Sequence, residues 1–361
     1  MVFNSQMLII ARESRRLTQK ALAEASGTAQ SAVSKAEAGA VEPQEASVVA
    51  WARALRYRVN MFLRTDAAAP PPRTLFRKRA SLPQGDVKAI KASIAIQCMQ
   101  VEWLARSVEL PETDVPLMTV GRDASSAAEA ARYVRQLWRL PRGPIADIFG
   151  PLEDHSVVVV PMQNRSDGFM GLSVHEHKRA LPPIMFFNGD APADRVRWTI
   201  AHELGHIVLH HHQSALSEDC EDEADEFASE FLMPANDIKH QFSSRTGLDD
   251  LAQLKLHWRV SMQALLSRAL SVGRITKAHS TGLWKLISMY GYRRCEPNGF
   301  QLEQAGLLTE MLRVHMEDLA FSLDNLCDLL GIEAEEAHML YKVNVPATVD
   351  AKQSPRLRLV E

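Results

Sequence analysis

The chain has 361 residues, 46% hydrophobic and 24% charged, with a formal net charge of −3. That length lets two or three domains each bury a core, and the charge balance excludes a globally basic nucleic-acid binder, so any basic surface must be local. Four scattered cysteines without a C-x-x-C pair exclude a cysteine-built zinc site and a disulfide framework, and no signal-like start or apolar run of about 18 residues is present, so a cytoplasmic chain without membrane contact is expected.

Residues 12–63 read as a helix-turn-helix module. Leu17 to Ala23 forms a helix with Thr18 as N-cap, Ser26-Gly27 supplies the turn, and Thr28 caps a second helix that runs through Glu37 and ends at Gly39. Leu22, Ala23, Val33 and Ala36 would form the small core between the helices. Gln30, Ser31, Ser34 and Lys35 are left outward, short polar groups plus one cation, suited to base edges and phosphates. Gln19 opens the preceding helix, where side chain and helix N-terminus can meet a phosphate. With Thr28, these residues are the candidate DNA-reading set. Arginines and lysines outnumber acids in the segment.

The run Leu17-Thr18-Gln19, Leu22-Ala23, Gly27, Ser31, Val33-Ser34, Glu37, Gly39 and Pro43 resembles the Cro/C1-type (XRE) repressor family over about residues 5 to 64. The resemblance implies binding to a double-stranded DNA operator, as a homodimer on two half-sites.

Ala67 to Pro72, Ala-Ala-Ala-Pro-Pro-Pro, breaks helix and strand alike and reads as a linker, followed by Arg73, Arg77, Lys78 and Arg79. Apolar residues recur at helical spacing from Val87 to Leu110 and from Ala127 to Leu137. Val157 to Val160 and Pro183 to Phe187 are short apolar runs read as strands, with turns at Asn164, Asp167, Gly168 and Gly171 between them. A long helix is expected from Asp194 to His211 and another from Ser217 to Met233. Beyond Pro234 the pattern is helical to about Lys342, and the last ten or so residues should fray.

The chemistry concentrates in His202-Glu203-Leu204-Gly205-His206. Histidines four apart on a helix present both imidazoles on one face, the spacing that grips one zinc ion. Glu203, beside the first histidine, is placed to take a proton from a water activated by the ion. Gly205 lets another element pack close. A third protein ligand is needed, and the acidic helix from Glu218 offers it. Glu221 with Asp225 four residues later puts both carboxylates on one face, so that Glu221 binds the metal while Asp225 holds a ligand histidine by its other nitrogen. Glu223 is the reserve. His210, His211 and His212 read as surface residues at the helix end.

Arg195-x-Arg197-x-Thr199, His202-Glu203-Leu204-Gly205-His206, Leu209-His210, Glu221-x-x-Ala224-Asp225-x-Phe227-Ala228 and Phe231-Leu232-Met233-Pro234 together resemble the ImmA/IrrE family of metallopeptidases, over about residues 140 to 270. The resemblance implies a compact zincin-like fold and action on repressors of phage and stress genes. It assigns His202, His206 and Glu221 as ligands of Zn2+ and Glu203 as base. Asp225 stands where that family often has Asn.

The expected fold is mainly α with a small α+β domain: a helix-turn-helix bundle (1–66), a linker and helical connector (67–139), a zincin-like core with a short sheet (140–275) and a helical C-terminal region (276–361). Trp258 and Met262 suit a core. Leu326, Leu329, Leu330, Met339 and Leu340 point to a terminal helical pair, for dimerisation or a partner. The functional expectation is a DNA-binding transcriptional regulator whose zinc-dependent peptidase domain cleaves a repressor or partner protein. The alternative is an antitoxin or autorepressor of a toxin–antitoxin or phage module, in which that domain binds a partner such as a toxin without turnover.

Overall fold

The structure is a computed structural model that describes residues 2–64, 75–76, 83–162, 169–175, 181–213, 218–342 and 357–359. The expected linker at Ala67–Pro72, the basic residues after it and the turn residues Asn164, Asp167 and Gly168 lie outside the described residues.

Four helices open the chain: α1 (Ser5–Ser14), α2 (Gln19–Ser26), α3 (Gln30–Glu37) and α4 (Glu45–Leu55). Thr18 caps α2 as expected, accepting from the Ala21 amide, and Gly27 closes it at φ +68°, a conformation a Cβ would oppose. Leu22, Ala23, Val33 and Ala36 are buried between the helices. Thr28 does not cap α3. The helix starts one residue later, after Ala29, and the Thr28 hydroxyl instead accepts from the Trp51 indole on α4 at 2.9 Å.

After a two-residue strand β1 (Leu75–Phe76) comes α5 (Gln84–Ala105), then β2 (Val108–Glu109), α6 (Ala127–Leu137) and the single turn α7 (Gly150–Glu153). The central sheet follows as β3 (Val158–Met162), β4 (Gly171–Val174) and β5 (Ile184–Asn188), and then α8 (Ala193–Leu209) and α9 (Cys220–Leu232). Strand β4 was not expected: its four residues begin with a glycine that reads as turn chemistry, too short a run for alternation to register. In space the order is β1-β4-β5-β3, with β3 parallel to β5 and the other pairs antiparallel.

Helices α10 (Ala235–Ile238), α11 (Leu248–Trp258), α12 (Met262–Ser271), α13 (Lys277–Met289), α14 (Leu307–Arg313), α15 (Leu323–Leu330) and α16 (Ala334–Tyr341) complete the chain, with β6 (Arg358–Leu359) paired to β2. That last pairing corrects the expectation that the whole end of the chain frays.

Strand alternation divides the interior into two cores. Val158, Val160, Leu172, Val174, Ile184 and Phe186 face one way, into a core shared with α5, α14, α15 and the N-terminal helices. Val159, Met185 and Phe187 face the other way, where α8, α9, α6, α11 and α12 gather, with Trp258 and Met262 fully buried. Helix α5 is apolar around most of its circumference because it is enclosed. Of its two buried glutamines, Gln100 donates to the Leu330 carbonyl and accepts from the Tyr341 hydroxyl, while Gln97 Oε1 meets no donor among the described residues.

The α15–α16 pair therefore has an occupant within the chain: the N-terminal helices and α5. Arg15 pairs with Glu336, Arg56 with Glu335, and Arg58 with Asp324, Asp328 and Glu333. Arg64 donates to the Asp328 and Leu329 carbonyls and lies 3.7 Å over the Trp103 ring. Much of the local cationic excess read from the sequence is thus neutralised by the chain's own C-terminal acids.

Candidate metal centre and DNA-reading face

Helix α8 runs against one face of the sheet and is buried along nearly its whole length. It begins just after Pro192 and is bolted in place by Arg197, fully buried, whose guanidinium donates to the Ile145 and Arg259 carbonyls and pairs with Glu303. Burial pulls the Arg197 pKa down to about 10, which still leaves it charged. Such a position cannot be read from spacing, since its partners come from distant segments.

Two glycines let neighbours close on this helix. A Cβ at Gly205 would lie 3.1 Å from Phe227 Cβ and 3.2 Å from Ala224 Cα, so α8 and α9 cross almost backbone to backbone. A Cβ at Gly171 would collide with the Thr199 methyl and sit 3.1 Å from the Phe186 carbonyl oxygen. Close approach of α9 brings its first turn to the histidines, and close approach of β4 brings its one polar side chain to the base.

His202 Nε2 and His206 Nε2 lie 3.0 Å apart, and Glu221 oxygens stand 3.5 Å and 3.4 Å from them. These three are the group of histidine, cysteine or acid side chains among the described residues whose ligand atoms converge. Tetrahedral ligands held about 2.0–2.1 Å from a zinc ion stand about 3.3 Å from one another, so the spacing fits.

Tautomers sharpen the fit. His202 Nδ1 donates to Asp225 at 2.8 Å, and Asp225 also accepts from the Trp198 indole at 3.4 Å. His206 Nδ1 faces His210 Nδ1 at 2.9 Å, and His210 Nε2 reaches Glu223 at 2.8 Å. The network that gives Asp225 and Glu223 their donors puts a proton on Nδ1 of both His202 and His206 and on Nε2 of His210. Both Nε2 lone pairs of the first two rings then point at each other across 3.0 Å. Two acceptors that close repel unless a cation sits between them. The donor set therefore fits a divalent metal ion.

His210 and Glu223 take a part the sequence did not suggest. His210 is 1% exposed, not a surface residue, and it carries the Glu223 carboxylate's influence to His206 as Asp225 acts on His202. Burial lowers the pKa of His210, with Glu223 opposing, and pushes that of His211 down to about 3. Both rings are neutral at pH 7. The adjacent His202 and then His206 rings hold the Glu221 carboxyl well below its ordinary range. Cys220 shifts upward through burial and the adjacent Glu221, so its thiolate is disfavoured.

Glu203 is 1% exposed, and Ser173 Oγ donates to its Oε2 at 2.7 Å while sharing a 3.1 Å contact with His211 Nε2. Ser173 lies between Leu172 and Val174, which face the other core, so alternation turns its hydroxyl toward α8. The sequence reading missed it with the strand that carries it.

At the other end of the chain, Gln30, Ser31 and Lys35 on α3 are exposed, with Ser34, Gln19 and Thr28 half-buried. Gln30 donates to Gln19, Gln19 donates to Glu37, and Glu37 forms a bidentate pair with Arg12. This relay fixes the angle between α2 and α3 and presents their starts together.

Comparison with known families agrees with this division. Residues 152–270 match a peptidase family described as the IrrE N-terminal-like domain. Residues 8–62 match the helix-turn-helix family. The chain fuses a helix-turn-helix domain to an ImmA/IrrE-type domain. The match at 152–270 spans strands β3 to β5, helices α8 to α11 and nearly all of α12, and so takes in every residue of the metal centre. No curated protein matches the chain. Among the described residues, no helix is long and apolar enough to cross a membrane.

Proposed function

We propose that this protein is a DNA-binding regulator whose ImmA/IrrE-type domain, within residues 140–275, is a zinc-dependent peptidase acting on a partner protein such as a repressor. The observation that carries the reading is the convergence of His202, His206 and Glu221 beside a buried carboxylate, Glu203, that none of the three ligand roles uses. A scaffold has no need of that fourth group.

His202, His206 and Glu221 would hold the ion, with Asp225 and the His210–Glu223 pair fixing ring orientation. Zinc bound there supplies a Lewis acid that makes water nucleophilic near neutral pH and polarises a peptide carbonyl. Ser173 engages Oε2 of Glu203, so Oε1 is the oxygen that takes the water's proton and later delivers it to the leaving amine. Burial of Glu203 excludes competing bulk water from that exchange. Residues 1–66 would read an operator through Gln30, Ser31, Ser34 and Lys35, with Gln19 and Thr28 at the helix starts, as a homodimer on paired half-sites.

Metal analysis of the purified chain should find one zinc per protein, lost in His202→Ala. Glu203→Gln should keep zinc and DNA binding while cleavage of the partner falls at least 100-fold. A native chain that folds without any metal would sink the centre. Full biological activity in Glu203→Gln would sink the peptidase.

A further inference from the structure

The sheet carries one strand that the three-strand core does not need. Without β1, the order would be β4-β5-β3 and β4 would be the edge beside the metal centre. Its outward N–H and C=O groups would be open to an added strand, which is how an extended peptide is held by a sheet edge. That edge is taken. Leu75 pairs with Ser173 and Phe76 with Leu172, antiparallel.

The register matters more than the pairing. Ser173 is the residue whose hydroxyl engages Glu203, so the backbone at Leu75 runs beside the strand position that reaches the base. A sheet edge can pair once. Whatever peptide is to be aligned there must displace β1.

We infer that Leu75–Phe76 stands in for substrate, holding the aligning edge of β4 closed until a competing peptide or a change in the chain withdraws it; this rests on the peptidase reading above. The segment also describes the competitor. Two apolar residues are flanked in sequence by Arg73, Arg77, Lys78 and Arg79, and α9, whose first turn supplies Glu221 to the centre, exposes the further acids Asp222 and Glu226. The substrate class is an extended apolar segment bordered by cations.

The test uses the full chain in a Glu203→Gln background, so that no peptide is cut, with and without Leu75→Pro/Phe76→Pro. The probe is a fluorescent decapeptide with the sequence of residues 71–80, followed by anisotropy, beside a scrambled control. Opening the edge should tighten binding of the decapeptide at least 10-fold and speed amide exchange across Gly171–Val174 by a similar factor, with the scrambled peptide unaffected. Leu75→Gly/Phe76→Gly, which weakens the strand without removing its N–H groups, should give an intermediate value and guards against a folding defect in the proline variant. Equal binding to closed and opened chains, or binding to neither, overturns the proposal. Zinc content is measured on the same samples. Discrimination without zinc keeps the strap and removes the metal reading, whereas zinc without discrimination does the reverse.

Discussion

Ser173 on β4 donates to the Glu203 carboxylate on α8 at 2.7 Å, tying the sheet to the base of the proposed centre through a single buried hydroxyl. Ser173→Ala leaves a buried carboxylate oxygen without its donor. The expected loss is about 1–3 kcal/mol of folding stability, read as a lower urea midpoint at unchanged slope. One zinc per chain should be retained, because Ser173 touches none of the three ligands.

Asp225 and His210 hold His202 and His206 by their far nitrogens. Asp225→Ala and His210→Ala should each weaken zinc binding by about 10–100-fold, measured by competition with a chelating indicator. If neither changes the affinity, the rings are held by packing alone.

Packing of β4 on α8 leaves no room for a methyl group at Gly171. Gly171→Ala is expected to cost about 1–3 kcal/mol or more, since the obstacles include the Phe186 backbone and not only a movable side chain. Thermal unfolding checks this, and a neutral substitution would show that the strand can shift outward.

Glu153, buried behind the sheet, accepts from the Gly306 and Leu307 amides at 2.8–3.0 Å at the start of α14. Burial pushes its pKa from 4.5 to about 7, against the pull of those amides. Between these values the folded chain retains a proton that the unfolded chain has released. The associated stability is present below about pH 4.5 and is lost as pH rises through about 7, by roughly 3 kcal/mol. Glu153→Gln should flatten that part of the stability–pH curve obtained by denaturant titration.

On α3, Lys35 is exposed and makes no ion pair among the described residues. Lys35→Ala should weaken binding to all duplexes alike and reduce the salt slope by about 1. Gln30→Ala should instead narrow the gap between operator and random DNA by about 1–3 kcal/mol. Filter-binding or anisotropy titrations across salt concentration separate the two effects.

How much of this was legible beforehand follows from the range of the forces involved. Thr18, the α2 turn at Gly27, the helical run through α6 and the grouping of His202, Glu203 and His206 all depend on neighbours within four residues, so spacing revealed them. Glu221 and Asp225 could be paired with those histidines because both sets lie on helices whose faces are defined by the same period. The structure brings them together across the contact that Gly205 permits.

What spacing could not reveal depends on the far side of a contact. Whether His210 is a solvated end or a buried relay is settled by α9 closing over it, and the role of Ser173 by a four-residue strand with no alternation long enough to detect. The cations at Arg15, Arg56 and Arg58 look like DNA ligands in isolation, yet meet acids some 270 to 320 positions away. Residue identity and local period suffice for which groups share a helix face. Only the folded chain decides which face is buried, which charge is neutralised and which sheet edge is already filled, because burial and pairing are properties of two surfaces and a sequence displays one at a time.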